Sequence, residues 1–292
     1  MKVKVVLTLV AAITVSGFLV FIVTQFRPPR IAAAKRLEKA QEVVKKSLHL
    51  TRSQCDQLGE KLLSNDDLIK AFSDRDKSAS RAMLTEIIEK ESFPGYVILT
   101  DDRGTVFIAT DVEIENRPTV ANRSQAIRTP LKSKGSYYLG ACEFTTNGVL
   151  AVGAIRQIRS KNGNLIGLIA VCQPLDSAYL ERIASRLDKS IDLSVFATSS
   201  EKISATSLDF KTKGKFLETI DEKGEDAFSG SVFGLGYRPL EALIVPIDSA
   251  RLDNTFERAG RWWFRCELWG LPEPSGKPLS YGCVLISTPL AL

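Results

Sequence analysis

The chain has 292 residues, of which 44% are hydrophobic and 25% charged, and its net charge is +5. That composition has room for more than one core and excludes a low-complexity polymer. Lysine and arginine are spread along the chain without a dense basic stripe or a recognisable module, so no nucleic-acid partner is expected.

From Val5 the chain runs for about 19 to 20 uncharged, mostly apolar residues, enough to cross the hydrocarbon layer. The run ends in Thr24-Gln25-Phe26-Arg27-Pro28-Pro29-Arg30, which is unlike a signal-peptidase site. Residues 1–26 are therefore expected to be an uncleaved transmembrane anchor. Lys2 and Lys4 precede the run, whereas Arg27, Arg30, Lys35, Arg36 and Lys39 follow it. The positive-inside rule alone would keep the following region in the cytoplasm, but the rule is weak for a long region behind a short tail.

Residues 30–92 read as a stalk helix followed by short helices. Ala34, Leu37, Gln41, Val44, Leu48, Thr51, Cys55, Leu58 and Leu62 repeat at a 3-4 spacing with charged residues between them. Such a narrow seam fits a long helix lying against a partner or against its own domain. A homodimer through this stalk is the expected assembly. The only histidine, His49, lies beside the seam and reads as a surface helix residue. Ser64-Asn65-Asp66-Asp67 breaks the run and can cap a new helix. A helix from about Ser78 to Lys90 then carries Met83, Leu84, Ile87 and Ile88, and Phe93-Pro94-Gly95 ends it.

Strand patterns begin at Tyr96. Tyr96–Thr100 and Thr105–Thr110 flank an Asp/Gly turn and predict a hairpin. Further strands are expected over Ser136–Thr145, Val149–Arg159 and Leu165–Cys172, and a helix over Asp176–Leu187. The strand pattern then restarts with Asp192–Thr198, Ile203–Thr206, Ala242–Ile247, Trp262–Trp269 and Leu279–Ser287, a repeat of the first set. Phe210–Tyr237 is irregular and Gly-rich.

Chemistry is harder to find. One histidine excludes a Ser-His-Asp or Cys-His arrangement of the usual kind. No HExxH, P-loop or dinucleotide fingerprint is present. No CxxC pair occurs among Cys55, Cys142, Cys172, Cys266 and Cys283, so no zinc or redox motif is supported. The expectation is a binding region with no catalytic residue, metal or cofactor. With a loop centred near Pro274, Cys266 and Cys283 lie almost opposite one another across a hairpin. They are either a cross-strand disulfide or two small buried residues.

The segments LLSNDDLIKAF, YVILTDDRGTVFIATD and VLAVGAIRQIRSKNGNLIGLIAVCQPLDSAYLERIA, behind a membrane helix and a stalk, resemble the extracytoplasmic Cache domain of bacterial receptors. RWWFRCELWGLPEPSGKPLSYGCVLIS could close a second such module. The resemblance implies an α+β, double Cache arrangement of PAS-like antiparallel sheets. Its parts would be a membrane-distal module over 93–175, a connecting helix over 176–190 and a membrane-proximal module over 191–292. It also implies a pocket in the distal module, opposite the stalk and closed by Asp111–Ser136. That segment holds Arg117, Arg123 and Arg128, and Tyr137 and Tyr138 start the next strand. Guanidinium groups beside an aromatic wall suit a small carboxylate. The implied role is a periplasmic sensor of the inner (cell) membrane, single-pass over these residues, with its output enzyme beyond residue 292 or on a partner. The alternative is a stand-alone anchored binding or assembly protein.

Overall fold

The computed structural model describes residues 35–132, 137–144, 149–160, 162–197, 202–208, 255–258, 261–272 and 278–289. The expected anchor over 1–26, the irregular stretch Phe210–Tyr237 and the expected strand Ala242–Ile247 lie outside the described residues. Among those described, no helix is long and apolar enough to cross a membrane.

Helix α1 covers residues 35–63. Its buried face is Leu37, Ala40, Val44, Leu48, Thr51, Cys55, Leu58 and Leu62, the seam expected from spacing with Ala40 buried and Gln41 half-exposed beside it. His49 is exposed, as expected of a surface helix residue. The seam is covered by the chain's own sheets, so a partner helix would have to meet the opposite, charged face. Asn65 then caps α2 (Asp66–Ser73), its Oδ1 accepting from the Leu68 amide at 2.9 Å. Asp76 caps α3 (Lys77–Lys90) in the same way, at 2.9 Å from the Ala79 amide. Each cap satisfies a backbone donor that the helix itself leaves unpaired.

The first sheet contains β1 (Tyr96–Asp101), β2 (Val106–Ala109), β3 (Tyr137–Glu143), β4 (Leu150–Arg159) and β5 (Leu165–Pro174). All neighbours are antiparallel, in the order β2-β1-β5-β4-β3. In the β1–β2 turn, Asp101 Oδ1 accepts from the Arg103 amide at 3.0 Å and the Thr105 amide at 2.8 Å. Gly104 supplies the positive φ of 81° there. Alternation divides the sheet cleanly. Val97, Leu99, Ile169 and Val171 face α1, α2 and α3, while Ile98, Leu168, Ala170 and Cys172 face the other way.

After α7 (Ser177–Ala184), capped by Asp176, the second sheet contains β6 (Asp192–Ala197), β7 (Lys202–Thr206), β8 (Thr255–Arg258), β9 (Arg261–Pro272) and β10 (Pro278–Pro289). Its order is β7-β6-β10-β9-β8, the same path as the first. The repeat read weakly from residues is thus a repeat of topology. Strand β8 was not expected, because the sequence Thr255-Phe256-Glu257-Arg258 is short and half charged. The second sheet packs on the first turns of α1 and on α7, and Leu150 and Val152 of β4 join the same core.

The cysteine hairpin needs correction. Cys266 pairs with Val284, and Cys283 pairs with Glu267. The two positions are one residue out of register, and successive strand positions belong to opposite faces. A bridge between directly facing cysteines does not fit this register.

Candidate functional site

Three short helices cover the face of the first sheet opposite α1: α4 (Val112–Asn116), α5 (Thr119–Arg123) and α6 (Gln125–Lys132). Below them lies an apolar floor that includes Tyr96, Ile98, Phe144, Ile155 and Leu168. Polar ties fix this cover. Asp111 caps α4 through the Ile114 amide at 3.0 Å. Asn122 Oδ1 accepts from the Val106 amide at 2.8 Å, and Gln157 Nε2 donates to the Pro130 carbonyl at 2.6 Å. Glu115 accepts from the Ala109 amide at 2.7 Å, from Lys77 Nζ at 2.8 Å and from Arg81 Nη2 at 2.6 Å. Burial opposes ionisation of Glu115, but the hydrogen bonds from Lys77 and Ala109 and the Arg81 charge outweigh it and hold the carboxyl below its ordinary range.

The structure gathers the expected arginines on this cover but leaves each of them exposed. Arg117 follows α4, Arg123 ends α5 and Arg128 lies within α6. Tyr137 and Tyr138 open β3, in register with Arg156 and Ile155 respectively. Ile155 belongs to the floor beneath the cover, so position 138 is on that face. Arg156 reaches the other side, where its Nε donates to Asp56 Oδ1 at 2.9 Å and its Nη2 also contacts Asp56. Position 137 is therefore on the stalk face. Within the floor, the Cys142 and Cys172 sulfurs are 3.8 Å apart, and burial pushes the Cys172 thiol well up.

A groove of about 630 Å³, not expected from the sequence, lies between the two modules. It lies where the middle of α1 meets the turn after α3, the end of β5 and α7. Thr51 Oγ1 donates to the Ser47 carbonyl at 2.9 Å and shares a 3.1 Å hydrogen bond with the Tyr179 hydroxyl. Gln173 Nε2 donates to the Pro94 carbonyl at 3.1 Å. Lys61 and Glu91 pair at 2.6 Å on the rim, and the Arg182 guanidinium stands 5.7 Å from the Tyr179 ring centre. Burial raises the Tyr179 hydroxyl's pKa, although the Thr51 hydrogen bond and the Arg182 charge act against it. These groups can hydrogen-bond a small polar molecule. Thr51, a polar interruption of the α1 seam, was the one sequence signal for this groove. Among the described residues, no cluster of three or more His, Cys, Asp and Glu could hold a metal ion.

No protein-family model matches the chain, and no curated protein matches it. Solved structures do. The periplasmic domain of Vibrio cholerae LuxQ is 14% identical with a TM-score of 0.50, over 86% of this chain and 97% of that one. A second structure of that domain is 15% identical with a TM-score of 0.48, over 86% and 98%. The sensory domain of the Campylobacter jejuni chemoreceptor Tlp3 is 13% identical with a TM-score of 0.46, over 92% and 97%. At such identities the likeness is one of fold. The chain has the fold of the LuxQ periplasmic domain: two antiparallel modules of the same strand order, mounted on one long helix.

Proposed function

We propose that the chain is the extracytoplasmic ligand-sensing region of a membrane-bound signal-transduction receptor, anchored as a single pass by residues 1–26. The observation that carries this reading is the repeated strand order on a shared helix, together with the LuxQ-like fold. The first module, distal to the membrane, takes a small molecule beneath α4, α5 and α6. A small carboxylate is the ligand class that suits Arg117, Arg123 and Arg128 at the rim and position 138 of β3, whereas Tyr137, on the stalk face, drops out of the expected set. The polar ties of the cover are individually weak, so a ligand that binds one arrangement better than another can shift it. The shift would pass through α1 to an output domain elsewhere. Any homodimer would form through the outward face of α1.

A second position for the ligand is favoured by the intermodule groove, where polar groups of α1, β5 and α7 converge. Thermal unfolding of the full chain in neutral detergent, screened against small carboxylates, separates the two. Stabilisation lost on replacing Arg117, Arg123 and Arg128 by alanine places the ligand under the cover. Stabilisation that survives those changes but is lost in Tyr179→Phe or Arg182→Ala places it in the groove. No stabilisation by any small carboxylate overturns the ligand class.

A further inference from the structure

A second cavity, of about 470 Å³, lies where the first turns of α1 meet the connection from α7 to β6. Lys35, Arg36 and Lys39 line it from α1, and Arg186 lines it from the connection. The single acidic group in the lining is Asp188, whose carboxylate accepts from the Ser190 amide at 2.8 Å and the Ser190 hydroxyl at 2.6 Å. Among the described residues none of the four cations forms an ion pair, and Arg36 Nε is buried without a hydrogen-bond partner. Cations gathered around one cavity repel one another, the Asp188 carboxylate offsets only part of this through its attraction to Arg36 and Lys39, and a buried N–H without an acceptor is costly. Both deficits are removed by one bound anion with several acceptor oxygens.

The remaining lining narrows the kind of anion. Val43, Leu187 and Ile191 form an apolar side to the cavity. Lys35 also follows Val23, the end of the apolar run, by only a dozen residues. A site with a cationic rim and an apolar wall, close behind a membrane segment, matches the boundary between headgroup and acyl chain. We propose that this cavity seats the phosphate of an anionic membrane phospholipid, with the glycerol end of the lipid against Val43, Leu187 and Ile191. The inference rests on the anchored reading above. It gives the basic residues that follow the apolar run a partner on whichever side of the membrane they lie. It also docks the second module against the bilayer at a defined height.

The test uses the full chain in a neutral detergent, titrated with dioctanoyl phosphatidylglycerol, dioctanoyl phosphatidylcholine or inorganic phosphate at matched ionic strength. Thermal unfolding and lipid adducts in native mass spectrometry are the readouts. Phosphatidylglycerol should bind and stabilise while phosphatidylcholine does not. Affinity should fall roughly fivefold for each cation replaced by glutamine. Arg186→Gln alone, at an exposed position, should keep the fold if the variant with all four replaced does not. Equal binding by Arg186→Gln and by the unaltered chain overturns the site, as does equal binding of the two lipids. Inorganic phosphate acting as strongly as phosphatidylglycerol overturns the lipid assignment. Release of the chain from membranes by alkaline carbonate would count against the anchor alone, because the detergent titration does not depend on it.

Discussion

Thr51 of α1 and Tyr179 of α7 share a hydrogen bond of 3.1 Å at the junction of the two modules. Tyr179 also packs into the core of the second sheet, so the bond links the stalk to the helix that connects the modules. Tyr179→Phe keeps the ring and removes the hydroxyl. Thr51 still donates to the Ser47 carbonyl, so no buried donor is left stranded. The expected loss is about 1 kcal/mol in urea denaturation. Thr51→Val should cost a similar amount, and the double variant should lose less than the sum of the two. Strict additivity would show that the bond contributes nothing.

Glu115 ties α4 to β2 and α3, and its carboxyl is held below the ordinary range. A depressed carboxylate stabilises the fold above its unfolded pKa and loses that contribution as pH falls through its folded value. Glu115→Gln should therefore be destabilised at neutral pH, by about 1 to 2 kcal/mol. The gap from the unaltered chain should close in acid. Hydrogen exchange should rise over α4 in the variant at pH 7. A gap that is independent of pH would mean that charge has no part in holding the cover.

Burial pushes the Cys55 thiol up to about 12, and its sulfur contacts the Val152 carbonyl at 3.5 Å. A thiol whose pKa is raised in the folded state leaves stability intact below its unfolded value of about 9 and erodes it as pH climbs toward 12. Cys55→Ala should lose stability at neutral pH yet decline less steeply above pH 9. In the unaltered chain, Cys55 should resist iodoacetamide until the protein is unfolded. Rapid labelling under native conditions would place α1 away from the sheet.

Gly153 lies between the strands that carry Cys142 and Cys172. An added Cβ would stand 2.6 Å from Cys172 Sγ and 2.6 Å from the Val171 carbonyl oxygen. Because one of these neighbours is backbone, Gly153→Ala should cost about 2 kcal/mol or more. A melting temperature equal to that of the unaltered chain would contradict this packing.

The elements with strong periodicity were legible in the sequence. The α1 seam, the Asn65 cap and the first five strands follow from the spacing of apolar residues and the position of turn formers. The cover is a different case. Its longest helix is only 8 residues, and Pro118 and Pro130 interrupt the segment, so no period accumulates. Beyond Thr51 as a polar break in the seam, the groove left no mark in the sequence, because Thr51, Pro94, Gln173 and Tyr179 meet only through the tertiary fold. The offset of the two cysteines in their hairpin has a narrower reason. Pro278 pairs with Pro272 and Cys283 with Glu267, so the hairpin is centred one residue beyond Pro274, and Cys283 lies one position away from the residue opposite Cys266. One residue is enough to exchange the two faces of a strand.

Among the described residues, one core cluster of each module contains part of the same helix: Leu37, Val44 and Leu48 belong to that of the second, and Cys55, Leu58 and Leu62 to that of the first. Neither module can therefore complete its interior without α1. Cutting the chain between the modules would separate one of them from the side chains that fill its core. The two modules should accordingly melt as a single cooperative unit, with one calorimetric transition despite the duplicated architecture.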